Sequence, residues 1–493
     1  MSREHSEATP LLRNQPKQIR NGWLFFAVFS AVLGNFNFGY SLVYPSPVIP
    51  QLQSSDDPRL RMDVHQVSWF GSIFTLGAAA GGLSAMLMND RIGRKLSIMI
   101  SAAPSTAGFL VMGAAQGFWM LLLGRFLTGV AAGITASSIP VYVSEISHPG
   151  VRGALGSCPQ ITAVFGSLAL YALGLVLPWR WLAVAGEVPV LLMLILLCFM
   201  PNSPRYLITH GKRDEACRAL KWLRGPNSDY MTELNRIERS VNSQVGLQWS
   251  DLRSPFYYKP VLISVFMRFL QQMTGITPIL VYLEPIFHKT AISLEPKYDA
   301  ALVGAVRLLS VMIAASLMDR AGRKALLYTS GFLMYLAMLT MTMYTHTTPC
   351  DTKNVTVEAS QQLTEVHGAL MGSVPNPITL VPLISTMVII FGYAMGWGPI
   401  TWLLMSEILP LGARGVASGL CVMVSWVTAF ALTQLFMHAV DAYGLFVPFL
   451  FFCVVCVVNI IFAAVCVPET KGRTLEEIEN YFRTGRSFTI LDS

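Results

Sequence analysis

The sequence predicts an all-α membrane protein: twelve transmembrane helices in two six-helix repeats, joined by a cytoplasmic helical linker. Three observations predict it. Of 493 residues, 53% are hydrophobic and only 13% are charged. An ordinary soluble domain carries about twice that charge, so a globule of this composition lacks the polar groups to cover its surface in water. Apolar stretches of about 20 residues, the length that crosses a bilayer, recur twelve times along the chain. Two sets of short charged motifs also recur, in the same order, six stretches apart. The same composition excludes intrinsic disorder, collagen and a secreted disulfide scaffold.

The spans fall near 23–44, 68–88, 96–115, 119–142, 156–177, 181–200, 260–283, 300–318, 325–345, 379–405, 415–437 and 446–467. They divide the chain into a cytoplasmic N-terminal tail (1–22), a first six-helix half (23–200), a linker with helical character (201–259), a second six-helix half (260–467) and a cytoplasmic C-terminal tail (468–493). The first 20 residues hold no apolar h-region, so no cleavable signal peptide is expected and the first span acts as a retained signal-anchor. With both termini inside, 26 of the 35 Lys and Arg residues lie in inside segments, 6 in outside loops and 3 within spans (Arg125, Arg268 and Arg307). Basic residues mark the cytoplasmic side of membrane proteins, so the net charge of +7 reads as a topology signal and calls for no nucleic acid.

The exterior loop 346–378 contains Asn354-Val355-Thr356, a glycosylation acceptor at Asn354. Most of the eight cysteines sit in apolar runs, where they read as small buried hydrophobes, and only Cys350 falls in an exterior loop. The eight histidines lack metal-ligand spacing, and the chain carries neither a Walker-type Gly-x-x-x-x-Gly-Lys loop nor a Gly-x-Ser-x-Gly elbow. No metal or cofactor is expected, and the chain reads as neither an ATP-driven pump, a hydrolase nor another enzyme.

The internal repeat carries the mechanism. Asp90-Arg91-Ile92-Gly93-Arg94-Lys95 follows span two, and Asp319-Arg320-Ala321-Gly322-Arg323-Lys324 follows span eight. Ser144-Glu145-Ile146 with Gly150-Val151-Arg152-Gly153 follows span four, and Ser406-Glu407-Ile408 with Gly412-Ala413-Arg414-Gly415 follows span ten. Parallel repeats of this kind build two halves that rock about a midplane site. Carboxylates and guanidiniums at the cytoplasmic helix ends can pair across the halves when the inner mouth is shut. Arg94, Glu145, Arg152, Arg323, Glu407 and Arg414 are therefore expected to form a cytoplasmic gate that latches the outward-open state. Gly77-x-x-x-Gly81 and Gly129-x-x-x-Gly133 read as close helix packing.

These motifs resemble the sugar porter family of the major facilitator superfamily. The resemblance spans nearly the whole chain: Gly124-Arg125, Pro140-x-Tyr142-x-x-Glu145, Pro204-Arg205-Tyr206-Leu207, Gln271-Gln272-x-x-Gly275-Ile276 and Pro468-Glu469-Thr470-Lys471-Gly472-Arg473. The short first exterior loop, the long ninth loop and an N-terminal dileucine are most similar to the class III facilitative glucose transporters. The resemblance implies the major facilitator fold and a hexose site in which Gln160, Gln271, Gln272 and Thr277 meet sugar hydroxyls and Trp402 covers an apolar sugar face. Carboxamides donate and accept at once, which suits hydroxyls, and an indole face suits C–H groups. A lone glutamine in a span can equally be helix–helix glue.

Several positions depart from the family pattern. Thr277 stands where relatives commonly have Asn, Arg307 where glucose-selective relatives have Asn, and Ser425-Trp426 where an Asn-Trp pair is usual. Arg268-Phe269-Leu270 replaces Gln-Leu-Ser, Tyr393-Ala394 replaces an aromatic and a glutamate, and Pro201-Asn202-Ser203 lacks a glutamate. Arg307, Ser425 and Trp426 are thus expected to modify the substrate site. Arg125 is expected to pair with Glu187 within the membrane. Proton-coupled relatives carry an acid after the Gly-Tyr of span one, where this chain has Ser41, so facilitative uniport is expected, with proton symport as the alternative. A non-transporting sensor would usually carry a longer cytoplasmic tail. Glu7-x-x-x-Leu11-Leu12 matches the acidic dileucine read by clathrin adaptors and implies endosomal or lysosomal residence, with the plasma membrane as the alternative.

Overall fold

The computed structural model describes residues 19–148, 150–243, 250, 253–290, 295–318, 320–348, 377–410, 414–471 and 475–485. Every regular element among them is helical. The first half comprises α1 (Gly22–Leu42), α2 (Pro45–Gln53), α3 (Val64–Arg91), α4 (Arg94–Ile100), α5 (Ala102–Gly113), α6 (Phe118–Ile146), α7 (Arg152–Leu173), α8 (Trp179–Ala185) and α9 (Glu187–Leu197). The linker forms α10 (Pro204–Thr209), α11 (Arg213–Arg224) and α12 (Tyr230–Asn242). The second half comprises α13 (Pro255–Met273), α14 (Ile276–Val281), α15 (Leu283–His288), α16 (Pro296–Leu317), α17 (Arg323–Thr347), α18 (Val381–Met395), α19 (Pro399–Ile408), α20 (Arg414–Tyr443) and α21 (Phe446–Cys466), and α22 (Leu475–Thr484) closes the chain. The glycosylation acceptor Asn354 and the dileucine residues Glu7, Leu11 and Leu12 lie outside the described residues.

Eleven of the described helices are long and apolar enough to cross a membrane. The twelfth expected span, 260–283, is present but interrupted. Gly275 takes a left-handed backbone at φ +80°, which side chains rarely adopt, and there the chain divides between α13 and α14. This half begins at Pro255, ahead of the expected 260. The tenth span breaks at Gly396-Trp397-Gly398, between α18 and α19. Broken helices are tolerated at membrane depth only where protein or a cavity satisfies the freed backbone groups. Both breaks therefore point to the interior of the second half.

The first half is tightly sewn. A Cβ at Gly77 or Gly81 of α3 would run into the backbone of Phe126 or Val130, and one at Gly129 or Gly133 of α6 into that of Phe74 or Ala78. This is the close backbone approach that small residues allow. The linker docks on the same half. Buried Arg224 grips Glu233 with two bonds, of 3.0 and 2.9 Å, and donates to the Ile146 carbonyl at the end of α6 at 2.8 Å. Beside it, burial, ahead of the Arg224 charge, holds His148 below the usual imidazole range. At the other end of the chain, α22 docks on the second half: Ile478 and Phe482 pack with Phe256, and the Arg483 guanidinium lies 4.7 Å over that ring.

Candidate functional site

The end of the bundle that carries the charged repeats is called the basic face below, and the other end the opposite face. Hydrogen bonds that join the halves gather toward the opposite face. The Tyr282 hydroxyl, just past the break at Gly275, donates toward the carbonyls of Val67 and Ser68 at 3.4 and 3.3 Å. Tyr171 donates to the Leu280 carbonyl at 2.9 Å, the Glu284 amide donates to Ser46 Oγ at 3.0 Å, and the Ser72 hydroxyl and Gln434 carboxamide meet at 2.6 Å. Arg125 is fully buried in the first half near this closure. It donates to the carbonyls of Phe70 (3.2 Å) and Ser41 and lies against the rings of Phe70 and Phe74.

The expected pairing of Arg125 with Glu187 is not made. Arg125, Gly129 and Gly133 recur at a spacing of four, so they share the face of α6 that meets α3. Glu187 sits on α9 beside Thr106 of α5 and makes no ion pair with Arg125.

Toward the basic face the halves keep contact along α3 and α20, where Met86 lies against Gly419, and the opening lies at the starts of α7 and α20. Residues 152–154 at the start of α7 are exposed, and a Cβ at Gly153, Gly156 or Gly415 would meet nothing within 4 Å. The gate residues pair within their own halves. Arg94 meets Glu145 at 3.0 Å, and Ser203 donates to the other carboxylate oxygen. Arg323 meets Glu407 at 3.0 Å, and Thr470 donates to its other oxygen. Arg152 donates to the Ser147 carbonyl at 3.2 Å, and the Arg414 side chain lies outside the description. Among the described side chains no gate pair bridges the halves: each carboxylate takes the guanidinium of its own repeat.

Between the closed and open ends lies a polar cluster on α13, α18, α19 and α20. Gln271 Nε2 donates to the Tyr393 hydroxyl (3.0 Å) and the Gly398 carbonyl (3.1 Å), using the carbonyl freed by the break in the tenth span. Its Oε1 accepts from Arg268 Nη1. Gln272 donates to Ser425 Oγ at 2.9 Å and accepts from Thr277 Oγ1 at 3.0 Å. Arg268 Nη2 also donates to Ser425 Oγ, at 3.1 Å, and the guanidinium lies 3.8 Å over the Trp402 ring. The structure thus brings together five expected residues: Gln271, Gln272, Thr277, Trp402 and Ser425. Gln160 is exposed on α7 and makes no hydrogen bond to a described residue. Trp426 meets Phe38 edge-on at 5.8 Å, and Arg307 reaches Ser167 Oγ of the other half at 3.3 Å.

Sequence reasoning left Arg268 without a partner and noted Tyr393 only as a departure. It missed Ser167, Tyr171 and Tyr282 altogether. The one available signal was the Gly275–Pro278 break, which shows that the chain turns there but not what Tyr282 meets.

Two pseudo-repeated helical halves, closed at one face and open at the other around a polar midplane cluster, define a secondary transporter of the major facilitator fold. The family model described as "Sugar (and other) transporter" matches residues 27–482, and the chain belongs to that family. It is 59% identical over 474 residues to the human protein "Solute carrier family 2, facilitated glucose transporter member 6", covering 95% of this chain and 93% of that one. Its identity to the mouse protein of the same name is 60%, over 97% of this chain and 95% of that one. Among solved structures, the inward-open conformation of the xylose transporter XylE from E. coli matches with a TM-score of 0.74 at 22% identity, over 93% of this chain and 99% of that one.

Proposed function

We propose that the chain is a facilitative hexose carrier working by alternating access, with glucose as the first candidate substrate. The observation that carries the reading is the cluster of Gln271, Gln272, Thr277, Ser425 and Trp402, set on broken helices in a cleft shut at one face and open at the other. The names of its relatives support the substrate class. In this arrangement both carboxamides are satisfied by protein groups, so a sugar hydroxyl would exchange one hydrogen bond for another. Such exchanges are worth little net energy, which suits a carrier that must also release its cargo. Gln160, exposed within α7, is the first-half residue to complete the site, while Arg307 and Trp426 shape its edges.

Uniport is favoured over proton symport because the groups that hold Arg125 are main-chain carbonyls, with Ser41 in place of a carboxylate. Counterflow of labelled glucose in proteoliposomes of the purified protein, with no pH gradient, is the expected result. Accumulation driven by an acid outside would overturn uniport. Loss of all exchange with sugar binding retained would make the protein a sensor.

On the same reading, Arg94, Glu145, Arg152, Arg323, Glu407 and Arg414 latch the basic face when it closes, Asn354 carries a glycan in the exterior loop, and Glu7, Leu11 and Leu12 recruit clathrin adaptors to an endosomal or lysosomal membrane. A Leu11→Ala/Leu12→Ala variant should then appear at the cell surface, and an unchanged distribution would remove the sorting assignment.

A further inference from the structure

We infer that the cleft is built for an anionic sugar, a monosaccharide carrying one carboxylate or phosphate, whose charge is held by Arg268 and Arg307. The inference deepens the carrier reading and rests on it. Arg268 is only 2% exposed, and its contacts are neutral: Gln271 Oε1, Ser425 Oγ and the face of Trp402. Its Nε–H has no partner. Arg307 is half-buried, and its hydrogen bond goes to the Ser167 hydroxyl across the halves. Among the described residues neither arginine makes an ion pair. Gln271 joins Arg268 to the Tyr393 hydroxyl, and Leu308, next to Arg307, packs against Ala394, next to Tyr393. Of the buried carboxyls of the second half, Asp299 stands two turns before Arg307 on α16 and Glu284 faces His288 and approaches Tyr171, and neither makes an ion pair with Arg268 or Arg307.

A guanidinium at membrane depth costs several kcal/mol unless charge or hydrogen bonds compensate it. Neutral acceptors and one aromatic face supply only part of that compensation. Arg268, buried, and Arg307, half-buried, stand on either side of the Tyr393–Ala394 segment with no carboxylate paired to either, while the cleft is reached from the basic face. The missing charge can therefore arrive with the cargo. Guanidinium forks match carboxylate and phosphate oxygens, and the adjoining Gln271, Gln272 and Thr277 would take the remaining hydroxyls. An inorganic anion would use the arginines and leave the carboxamides and Thr277 idle.

The test uses the full-length protein in proteoliposomes, with exchange of labelled D-glucose, D-glucuronate and D-glucose 6-phosphate measured directly and in competition. The neutral methyl ester of glucuronate and inorganic phosphate serve as comparisons. At least one anionic sugar should displace label at a concentration about tenfold lower than the neutral ester, one ionic contact being worth that factor. The gap should narrow in high salt and in Arg268→Gln and Arg307→Gln. The readout is the anion-to-glucose ratio within each variant, which a general folding defect would leave unchanged. The stronger of the two anions separates a carboxylate from a phosphate cargo. Glucose exchange with no preference for either anion would overturn the inference and leave the hexose carrier standing. Anion exchange without glucose exchange would do the reverse. Inorganic phosphate competing as well as glucose 6-phosphate would overturn the sugar part of the assignment.

Discussion

In the first half Arg125 is fixed by main-chain carbonyls of Phe70 and Ser41, beside the glycine seam of α3 and α6. In the second half Arg268 is held by side chains, those of Gln271, Ser425 and Trp402, beside two broken helices. Carbonyls of packed helices cannot move without moving the helix, whereas a carboxamide, a hydroxyl and an exposed indole can turn. One repeated plan has thus given a stiff half that frames the closure and an adaptable half that holds the polar site. The helix seams agree. Gly392 of α18 has Met334 Cγ and Leu333 Cβ as its nearest neighbours, a looser seam than that of α3 and α6, although Gly396 at the break still presses on the Leu326 carbonyl.

The largest test of that contrast is to delete each arginine. Arg125→Ala leaves a cavity in place of a large, fully buried side chain and takes the side-chain donor from two buried carbonyls, so it should cost about 3–5 kcal/mol of stability. Arg268→Ala should cost about 1–2 kcal/mol, because its partners can rotate toward the cleft. Thermal unfolding of the purified proteins in detergent reads both, and equal losses would break the distinction.

A smaller effect probes what the halves share. Glu145→Gln and Glu407→Gln each remove one carboxylate from matching clusters, Arg94–Glu145–Ser203 and Arg323–Glu407–Thr470. Each should shift accessibility toward the state open at the basic face, by about tenfold if the carboxylate favours the closed state by roughly 1.4 kcal/mol. Cysteine labelling from either face measures the shift. An unchanged balance in both variants would remove the latch, and a shift in only one would show that the repeats have divided the task.

The smallest effect lies where the repeats differ by one residue. Glu469 accepts from the amides of Arg323 and Lys324 at 3.1 and 3.2 Å and so caps the start of α17. At the corresponding place in the first half stands Asn202, beside Gly93 at the start of α4. An acid there should stabilise the helix N-terminus, so Asn202→Glu should raise stability by about 0.3–1 kcal/mol and Glu469→Gln should lower it by a similar amount. A melting-temperature comparison decides it.

The twelve spans and the duplication, with its charged motifs at the helix ends, were legible because lipid enforces hydropathy and because charge at helix ends is written in short motifs. The polar cluster was legible chiefly through Gln271-Gln272, two carboxamides in an apolar run. The partner of Arg125 was misread, although the stripe Arg125, Gly129, Gly133 already placed the guanidinium on the α3 side. How the gate pairs could not be read at all, because Glu145 and Glu407 choose partners according to the state of the molecule, and a sequence encodes every state at once. Arg268 was visible as an oddity, but its seat on Trp402 depends on how α13, α19 and α20 approach one another.

The closure at the opposite face has one further consequence. Its bonds, from Tyr282 to Val67 and Ser68, from Tyr171 to Leu280 and from Glu284 N–H to Ser46, run between uncharged donors and acceptors. Electrolyte screens charges and leaves a phenol on a carbonyl almost untouched. On the latch reading, the two faces therefore answer to different variables: the opposite face chiefly to packing and uncharged hydrogen bonds, the basic face also to the ionic strength of the solution that bathes it.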